Sequence, residues 1–502
     1  ITAKDSFDEN KKNIVGIFLT HGHESHIGAL PDIVRAIPGL SVYGAKLTLD
    51  ILKKDMSDED LKKVKLVEIK PHVKINFGRL SVFPISVTHS IPDSLLYVLY
   101  TKDGAIVYTG DFVFDSTVPE KYKTDIGKLA YVGKQGVLCL LSESIYAERE
   151  GHTSPNNRAA SFIRDVLSKS EDRIIATVFP AHFYRIQELL NEVSKTHRKV
   201  VIMGKRLQET INYARENGYI NFDKRIVGDL TNLNDKNIVL ISDAKESPFA
   251  NLQRIIKGFD KYIKIKETDT VFITEPTYDG IEKVTAEIMD EVAMLGADAI
   301  NLSSKKHLLH HASREDLMLM INLMNPKYYF PVKGEYRYQL ANAKVAEEIG
   351  VSKENIILKQ NGDVCEFIDG KLNLKCFDKV KVDEILVDGN NGEDVGNLVL
   401  KDREMLGENG IVIVSCTLDR ATKKIVGGPE ILTRGFIYVK DNQELLEQTR
   451  ELCVLIINDN ILENTKRVDY SKIKNEVRER LGHFFYEKTE SKPMIITVIQ
   501  EV

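Results

Sequence analysis

The sequence predicts an α/β protein of several domains, and three observations predict it. Strand-like runs alternate with helix-like runs along almost the whole chain. The length of 502 residues suggests about two to four domains. No short-period repeat and no low-complexity tract interrupts the pattern, which sets aside solenoids and low-complexity segments. With 43% hydrophobic and 28% charged residues the composition is that of an ordinary globular protein, so wholesale disorder is excluded.

The elements follow in order. NIVGIFLT, GRLSVFPISVT, GAIVYT, GVLCLL, RIIATVFP, KVVIMG, NIVLIS, DTVFIT and KYYFPV are rich in Val, Ile, Phe and Tyr and read as strands. AASFIRDVLSKS and RIQELLNEVSK place apolar residues three and four apart and read as amphipathic helices. Residues 378–410 are polar, glycine-containing and ambiguous in period, and read as a connector. Beyond it come a strand (GIVIVSCTL), a turn, two helices (NQELLEQTRELCVLIINDN and YSKIKNEVRERLGHFFYEKT) and a last strand, PMIITVIQEV. Together they form a small α/β domain.

Charge and cysteine usage narrow the function classes. The net charge of −5 excludes the broad basic surface of a protein that coats nucleic acid, though a local basic groove stays open. Cys139, Cys365, Cys376, Cys416 and Cys453 are scattered and form no C-x-x-C pair. That fits reduced thiols in the cytoplasm and not a disulfide framework or thiolate zinc site. No apolar run approaches the roughly 20 residues a membrane helix needs. The chain opens with ITAKDSFDEN and no methionine, and reads as a piece lacking its true beginning.

Chemistry-bearing residues gather just past the ends of the strand-like runs: His21 and His23, His89, Asp111, Glu143 and His182. In open α/β sheets that edge is where ligands bind, although capping residues favour the same places. The strongest string is HGHESHIGAL. Two histidines at i and i+2 on an extended segment point the same way, and His26, at the start of the next helix, can turn toward them. Imidazole suits zinc and related ions. The plain alternative, three exposed loop histidines, needs three of the chain's 12 to fall within six positions by accident.

HGHESHIGAL, THSIPDSL and TGDFVFD, followed by FPAHFYRIQ, HHASREDLMLMINLMNPKYYFPVKGEYR and DVGNLVLKDREML, resemble the bacterial ribonuclease J family across nearly the whole chain. This is the β-CASP branch of the metallo-β-lactamase fold. The resemblance implies an αββα sandwich at residues 1–150, lacking its first strands because only 20 residues precede the histidine motif. It further implies an inserted β-CASP domain at 151–320, a return to the sandwich at 321–385, a linker at 386–408 and a C-terminal domain at 409–502. RNA is expected in the cleft between the first two domains.

The same resemblance implies a ribonuclease with two metal ions clamping a water and the scissile phosphate. His21, His23 and His89 match ligands of the first ion, Asp111 the bridging carboxylate and His26 a ligand of the second. His26, Asp111, Glu143, His182 and His311 form the expected catalytic set, with His311 as proton donor. Ser144, His307 and Lys333 are expected toward RNA. Taken alone, Glu143 and His182 are ordinary strand-end polar groups, and His307 and His311 a histidine-rich helix start; only the match raises them.

Two departures bear on activity. Ser25 stands where the family has the aspartate of H-x-H-x-D-H, and Lys333 where it has the histidine of P-V-H-G-E-Y-R. A hydroxyl is a poor metal ligand, and an ammonium has no lone pair. Lys333 either fills the second site as a fixed cation paired with Asp111 or points to solvent. The RNA-facing motifs drift too. Residues 242–248 read SDAKESP against the family's T-G-S-Q-G-E-P, and Leu309 replaces the serine of H-x-S-G-H.

The leading expectation is a ribonuclease J-like protein of mRNA decay and rRNA maturation, with 5′→3′ exonuclease and endonuclease ancestry. It most resembles the weakly active second paralogue found beside an active one. It would hold at most one zinc or manganese ion, show weak or lost hydrolysis, and assemble through its C-terminal domain as a homodimer or as a heterotetramer with the active paralogue. A competent one-metal ribonuclease using Lys333, and a non-RNA hydrolase of the same fold such as a thioesterase, remain the alternatives.

Overall fold

The computed structural model describes residues 9–234, 236–243, 248–382, 397–437, 442–463 and 468–502. The chain divides into two units, Ala3–Val382 and Asp383–Val502.

The first unit contains a sandwich. One sheet has three parallel strands, Ile17–Phe18, Leu40–Gly44 and Val64–Glu68. The other has six, in the order Tyr328–Pro331, Val137–Ser142, Gly104–Tyr108, Leu95–Thr101, Leu80–Ser86, Ile75–Phe77. Phe18 and Tyr43 of the first sheet pack with Phe77, Val82 and Tyr97 of the second. Phe18 stacks on Tyr43 at 4.6 Å and meets Tyr97 edge-on at 5.4 Å, the offset and edge geometries that ring quadrupoles favour. Helices cover both outer faces. Leu30, Val34, Leu49 and Leu52 pack on the small sheet, while Leu129, Leu317, Met320 and Val345 pack on the large one. The layers are therefore helix, sheet, sheet, helix.

The chain leaves the large sheet after Val137–Ser142 and returns beside it as Tyr328–Pro331. In between lies a second, all-parallel sheet of five strands. Its order is Lys199–Met203, Asn237–Ser242, Ile174–Val178, Thr270–Ile273, Asp298–Asn301. Ile174–Val178 is buried on both faces, as the continuous apolar run IIATV requires of a parallel strand with helices on each side.

The second unit is a three-stranded sheet, Ile425–Arg434, Ile411–Leu418, Met494–Glu501. Val412, Val414, Cys416 and Leu418 face the helices Gln443–Glu463 and Tyr470–Thr489.

Three readings of the sequence need correction. NIVGIFLT supplies only the short strand Ile17–Phe18, because Leu19 to His23 leave the sheet to reach the site. The stretch after GIVIVSCTL is not merely a turn: Ile425–Arg434 pairs antiparallel with Ile411–Leu418. Gly427, Gly428 and Pro429 mask its strand pattern, and proline is tolerated there because the strand is an edge. Asn397–Asn409, read as part of the connector, is a helix; its charged, weakly periodic sequence hides the fact. Residues 386–396 of the expected linker lie outside the described residues.

Candidate active site

Four strands of the large sheet, Leu80–Ser86, Gly104–Tyr108, Val137–Ser142 and Tyr328–Pro331, run in one direction. Their carboxyl ends share an edge, and just past them stand His89, Asp111, Glu143 and Lys333. The loop after Ile17–Phe18 brings His21 and His23 to the same edge, and the short helix Glu24–Ile27 brings His26. Gly110, at φ +61, makes this convergence possible. A Cβ there would lie 3.1 Å from the Thr20 side chain, so a side chain would push the Asp111 turn off the histidine loop.

Ligand atoms of His21, His23 and His89 lie within 4.8 Å of one another. His89 Nδ1 donates to the His310 carbonyl at 2.8 Å, which leaves Nε2 as a lone pair facing the cluster. His21 Nδ1 is 3.0 Å from the Thr20 hydroxyl, and its buried Nε2 has no partner among the described residues. Supporting bonds of this kind fix the tautomer a metal ligand needs. Burial, with help from His23 for His21 and from its histidine neighbours for His89, holds both rings well below the usual histidine range. They are neutral lone-pair donors, and with His23 they fit one transition-metal ion.

The other half of the cluster is built differently. His21, His26 and Asp111 also lie within 4.8 Å of one another, but the Lys333 ammonium sits among them. Its Nζ donates to both Asp111 oxygens, 2.5 Å from Oδ2, and lies 3.0 Å from His26 Nε2. The solvent-pointing alternative for Lys333 is thereby corrected. Lys333 and Gly334 both have positive φ, +59 and +89. That turn throws the lysine side chain back over the strand ends, at a backbone cost of about 1–2 kcal/mol for a non-glycine residue. Burial pushes the Asp111 carboxyl up. The His26 hydrogen bond and the charges of His311 and Lys333 overcome this and hold it well below the ordinary value. Ser25 is exposed on the cleft wall. His21, His26 and Asp111, and likewise Asp111, Glu143 and His311, are groups that could hold an ion, but Ser25 and the Lys333 ammonium offer it no good ligand.

His311 belongs with this group. Its Nδ1 is 2.7 Å from Glu143 Oε2 and 3.9 Å from Asp111 Oδ2. Glu143 also accepts the Phe112 amide at 2.7 Å. Burial, with Asp111 nearby, raises its carboxyl even against the opposing pull of His311. Two residues expected at the site, Ser144 and His307, lie away from the cleft, and a third, His182, lies on its far wall. Ser144 is fully buried, with its hydroxyl donating to the Val332 carbonyl at 3.0 Å and accepting from Asn342 at 3.1 Å. His307 packs on Phe162 at 5.2 Å, away from the cluster. His182 stands beyond His310, whose ring lies 5.3 Å from His182 and 6.4 Å from His89. Of the SDAKESP motif, residues 244–247 lie outside the described residues.

A cleft of about 1260 Å³ unites these groups. One wall carries His23, Ser25, His89, Asp111, His311 and Lys333; the other carries Phe179, His182, Tyr213 and Asp243 from the inserted sheet. Sequence reasoning missed Thr20, which touches both His21 and His26, and His310, which orients His89. It also missed Glu275, 2.5 Å from His182 Nδ1. Thr20 and His310 adjoin the histidine motifs and carried a positional signal; Glu275, in the unremarkable string ITEPTY, carried none.

Comparison with known proteins follows this geometry. Residues 5–170 match the beta-lactamase superfamily domain, 171–292 the ribonuclease J beta-CASP domain, 302–358 the Zn-dependent metallo-hydrolase RNA specificity domain and 398–502 the ribonuclease J C-terminal domain. Ribonuclease J 2 of Staphylococcus aureus strain MRSA252 is 37% identical over 499 residues, covering 98% of this chain and 89% of the relative. Ribonuclease J 2 of Staphylococcus epidermidis RP62A is 36% identical with the same coverage. A solved structure of a protein of unknown function from Enterococcus faecalis V583 aligns over 69% of this chain and 79% of its own, at 16% identity and TM-score 0.47.

Proposed function

The chain belongs to the ribonuclease J family, and from that premise we propose that it is a one-ion, weakly hydrolytic ribonuclease that serves chiefly as the partner of an active paralogue. One observation carries the reading: the Lys333 ammonium is bonded to both oxygens of Asp111 and to His26. It stands where the second metal ion of the family would be.

His21, His23 and His89, with Asp111 beside them, hold a single zinc or manganese ion. Such an ion supplies Lewis-acid charge to a scissile phosphate. The chain's own groups do the rest. Lys333 keeps Asp111 ionised and places a fixed positive charge beside the phosphate path. Glu143 holds His311 at Nδ1, so Nε2 can give a proton to the leaving oxygen. RNA enters the cleft. Ser144 and His307 act on it indirectly, by fixing the strand ends and the Phe162 wall. A lone ammonium cannot polarise a water as a second cation does, which is why hydrolysis is weak.

Assembly runs through the C-terminal unit. Ile413 is paired across the sheet with Leu432 and Ile496, on the face opposite the residues that meet the helices. Leu432 and Ile496 are exposed. An apolar row of this kind suits a protein interface. The protein works in the cytoplasm in RNA decay and rRNA maturation. Among the described residues no helix is long and apolar enough to cross a membrane.

Two measurements test this reading. Protein purified without chelator should carry close to one equivalent of zinc or manganese; two tightly held equivalents would overturn it. On 5′-monophosphorylated RNA the protein should be slow alone, and should join the active paralogue when the two are mixed. Fast turnover alone would instead identify a competent one-metal ribonuclease.

A further inference from the structure

A second carboxylate–histidine pair faces the same cleft and takes no part in the reading above. His182 begins the helix Phe183–Val193, at the end of Ile174–Val178. Glu275 follows Thr270–Ile273, the neighbouring strand. From these two adjacent strands the chain departs in opposite directions, to Lys199–Met203 on one side and to Asp298–Asn301 on the other. The crevice between such strands is where an open parallel sheet binds ligands.

His182 Nδ1 lies 2.5 Å from Glu275 Oε1. The contact is an ion pair off the N–H axis, since neither Glu275 oxygen has a hydrogen bond among the described residues, and it leaves Nε2 on the far side of the ring from the carboxylate. Nε2 has no partner among the described residues, and neither has either nitrogen of His310. His182 is 4% exposed and His310 1%, yet both rings line the cleft. Buried polar atoms are almost always hydrogen-bonded, so three orphaned nitrogens side by side call for a partner that the described residues do not supply.

The chemistry of that partner follows from charge and geometry. Arg185 is engaged by Glu188 at 2.7 Å and by the Asn157 carbonyl at 3.1 Å, and its Nε lies 4.0 Å from Glu275 Oε2. Among the described residues, Arg185 is thus already set between Glu188 and Glu275, and a phosphate at these rings meets no guanidinium free to pair with it. The partner is neutral and must both donate and accept. The His182 and His310 planes stand 86° apart with centroids 5.3 Å apart. A hydroxyl oxygen, which both donates and accepts along tetrahedral directions, can meet two rings so inclined.

We infer that His182 and His310, with Glu275 positioning His182, form a subsite for a ribose 2′-hydroxyl. Through it the cleft tells RNA from DNA. The inference rests on the reading of the cleft as an RNA path. His310 also orients His89 through its carbonyl, which sets the hydroxyl subsite next to the histidine cluster.

The test is binding of a fluorescent single-stranded RNA, its DNA counterpart and its 2′-O-methyl form to the full chain, and to His182→Phe and Glu275→Gln variants. The wild type should prefer RNA over DNA by about tenfold, the size of one well-made buried hydrogen-bond pair. The 2′-O-methyl form, which cannot donate, should bind like DNA. Both variants should lose the preference while DNA affinity stays unchanged. Glu275→Gln keeps the side-chain shape and covers the case in which His182→Phe does not fold. A preference that survives in Glu275→Gln overturns the subsite. A variant effect that follows base identity and not the sugar overturns the hydroxyl assignment. Failure of the wild type to bind any RNA would instead overturn the RNA reading of the cleft itself.

Discussion

The two halves of the histidine cluster share one strand edge and one carboxylate, yet they solve opposite electrostatic problems. Around His21, His23 and His89, three rings are gathered close together, His21 and His89 held neutral by burial and His89 Nε2 3.2 Å from His23 Nδ1. Around His26 and Asp111, a lysine supplies from within the chain the positive charge that the family's second ion would bring. On the proposed reading, the difference teaches that a second metal site can give way to an internal cation without leaving a hole. A buried carboxylate such as Asp111 is costly unless paired, and Lys333 provides the pair permanently.

The largest test of this contrast rebuilds the lost half. Ser25→Asp with Lys333→His should raise bound metal from one equivalent toward two and speed RNA cleavage by about 100-fold or more, the scale of a lost electrostatic stabiliser. Unchanged metal content would erase the distinction between the halves. Next comes His89→Ala, which removes a direct ligand. It should weaken metal affinity by more than about 100-fold, the upper range for merely supporting partners, as read by competition with a chelator. Thr20→Val should do less, about tenfold, because it only frees the His21 and His26 rings from the hydroxyl they share.

The smallest effect is on stability. Burial holds His21 and His89 well below 6.5 in the folded protein. The unfolded chain takes up protons on these rings near their ordinary value and the folded chain does not. Stability of the metal-free protein is therefore present above that value and falls as pH drops through it. Melting temperature should be lower at about pH 5.5 than at about pH 7.5, and the drop should shrink in a His21→Gln, His89→Gln double variant. A flat profile in the wild type would contradict neutral burial.

Much of this was legible in the sequence. The run IIATV and its partners announced a parallel sheet, and HGHESHIGAL announced the cluster, because local pattern and chemistry coincide there. The two departures, Ser25 and Lys333, were visible as residue types, but whether Lys333 turned inward depended on a left-handed turn that no side-chain pattern reveals. Glu275 stayed hidden for a related reason: its meeting with His182 is made by the pairing of Ile174–Val178 with Thr270–Ile273, a contact across many residues of chain. Ile425–Arg434 was missed because glycine and proline broke its alternation.

The pairing of Tyr328–Pro331 with Val137–Ser142 has a consequence for synthesis. On a ribosome, the histidines at 21, 23, 26 and 89 and the carboxylate at 111 all emerge before the lysine that will neutralise that carboxylate. Until the return strand docks, the nascent polypeptide offers cations a more open cradle than the finished molecule does. An ion captured early at that carboxylate must be expelled when the lysine arrives, so the final ion content is set by the finished site and not by the order of emergence.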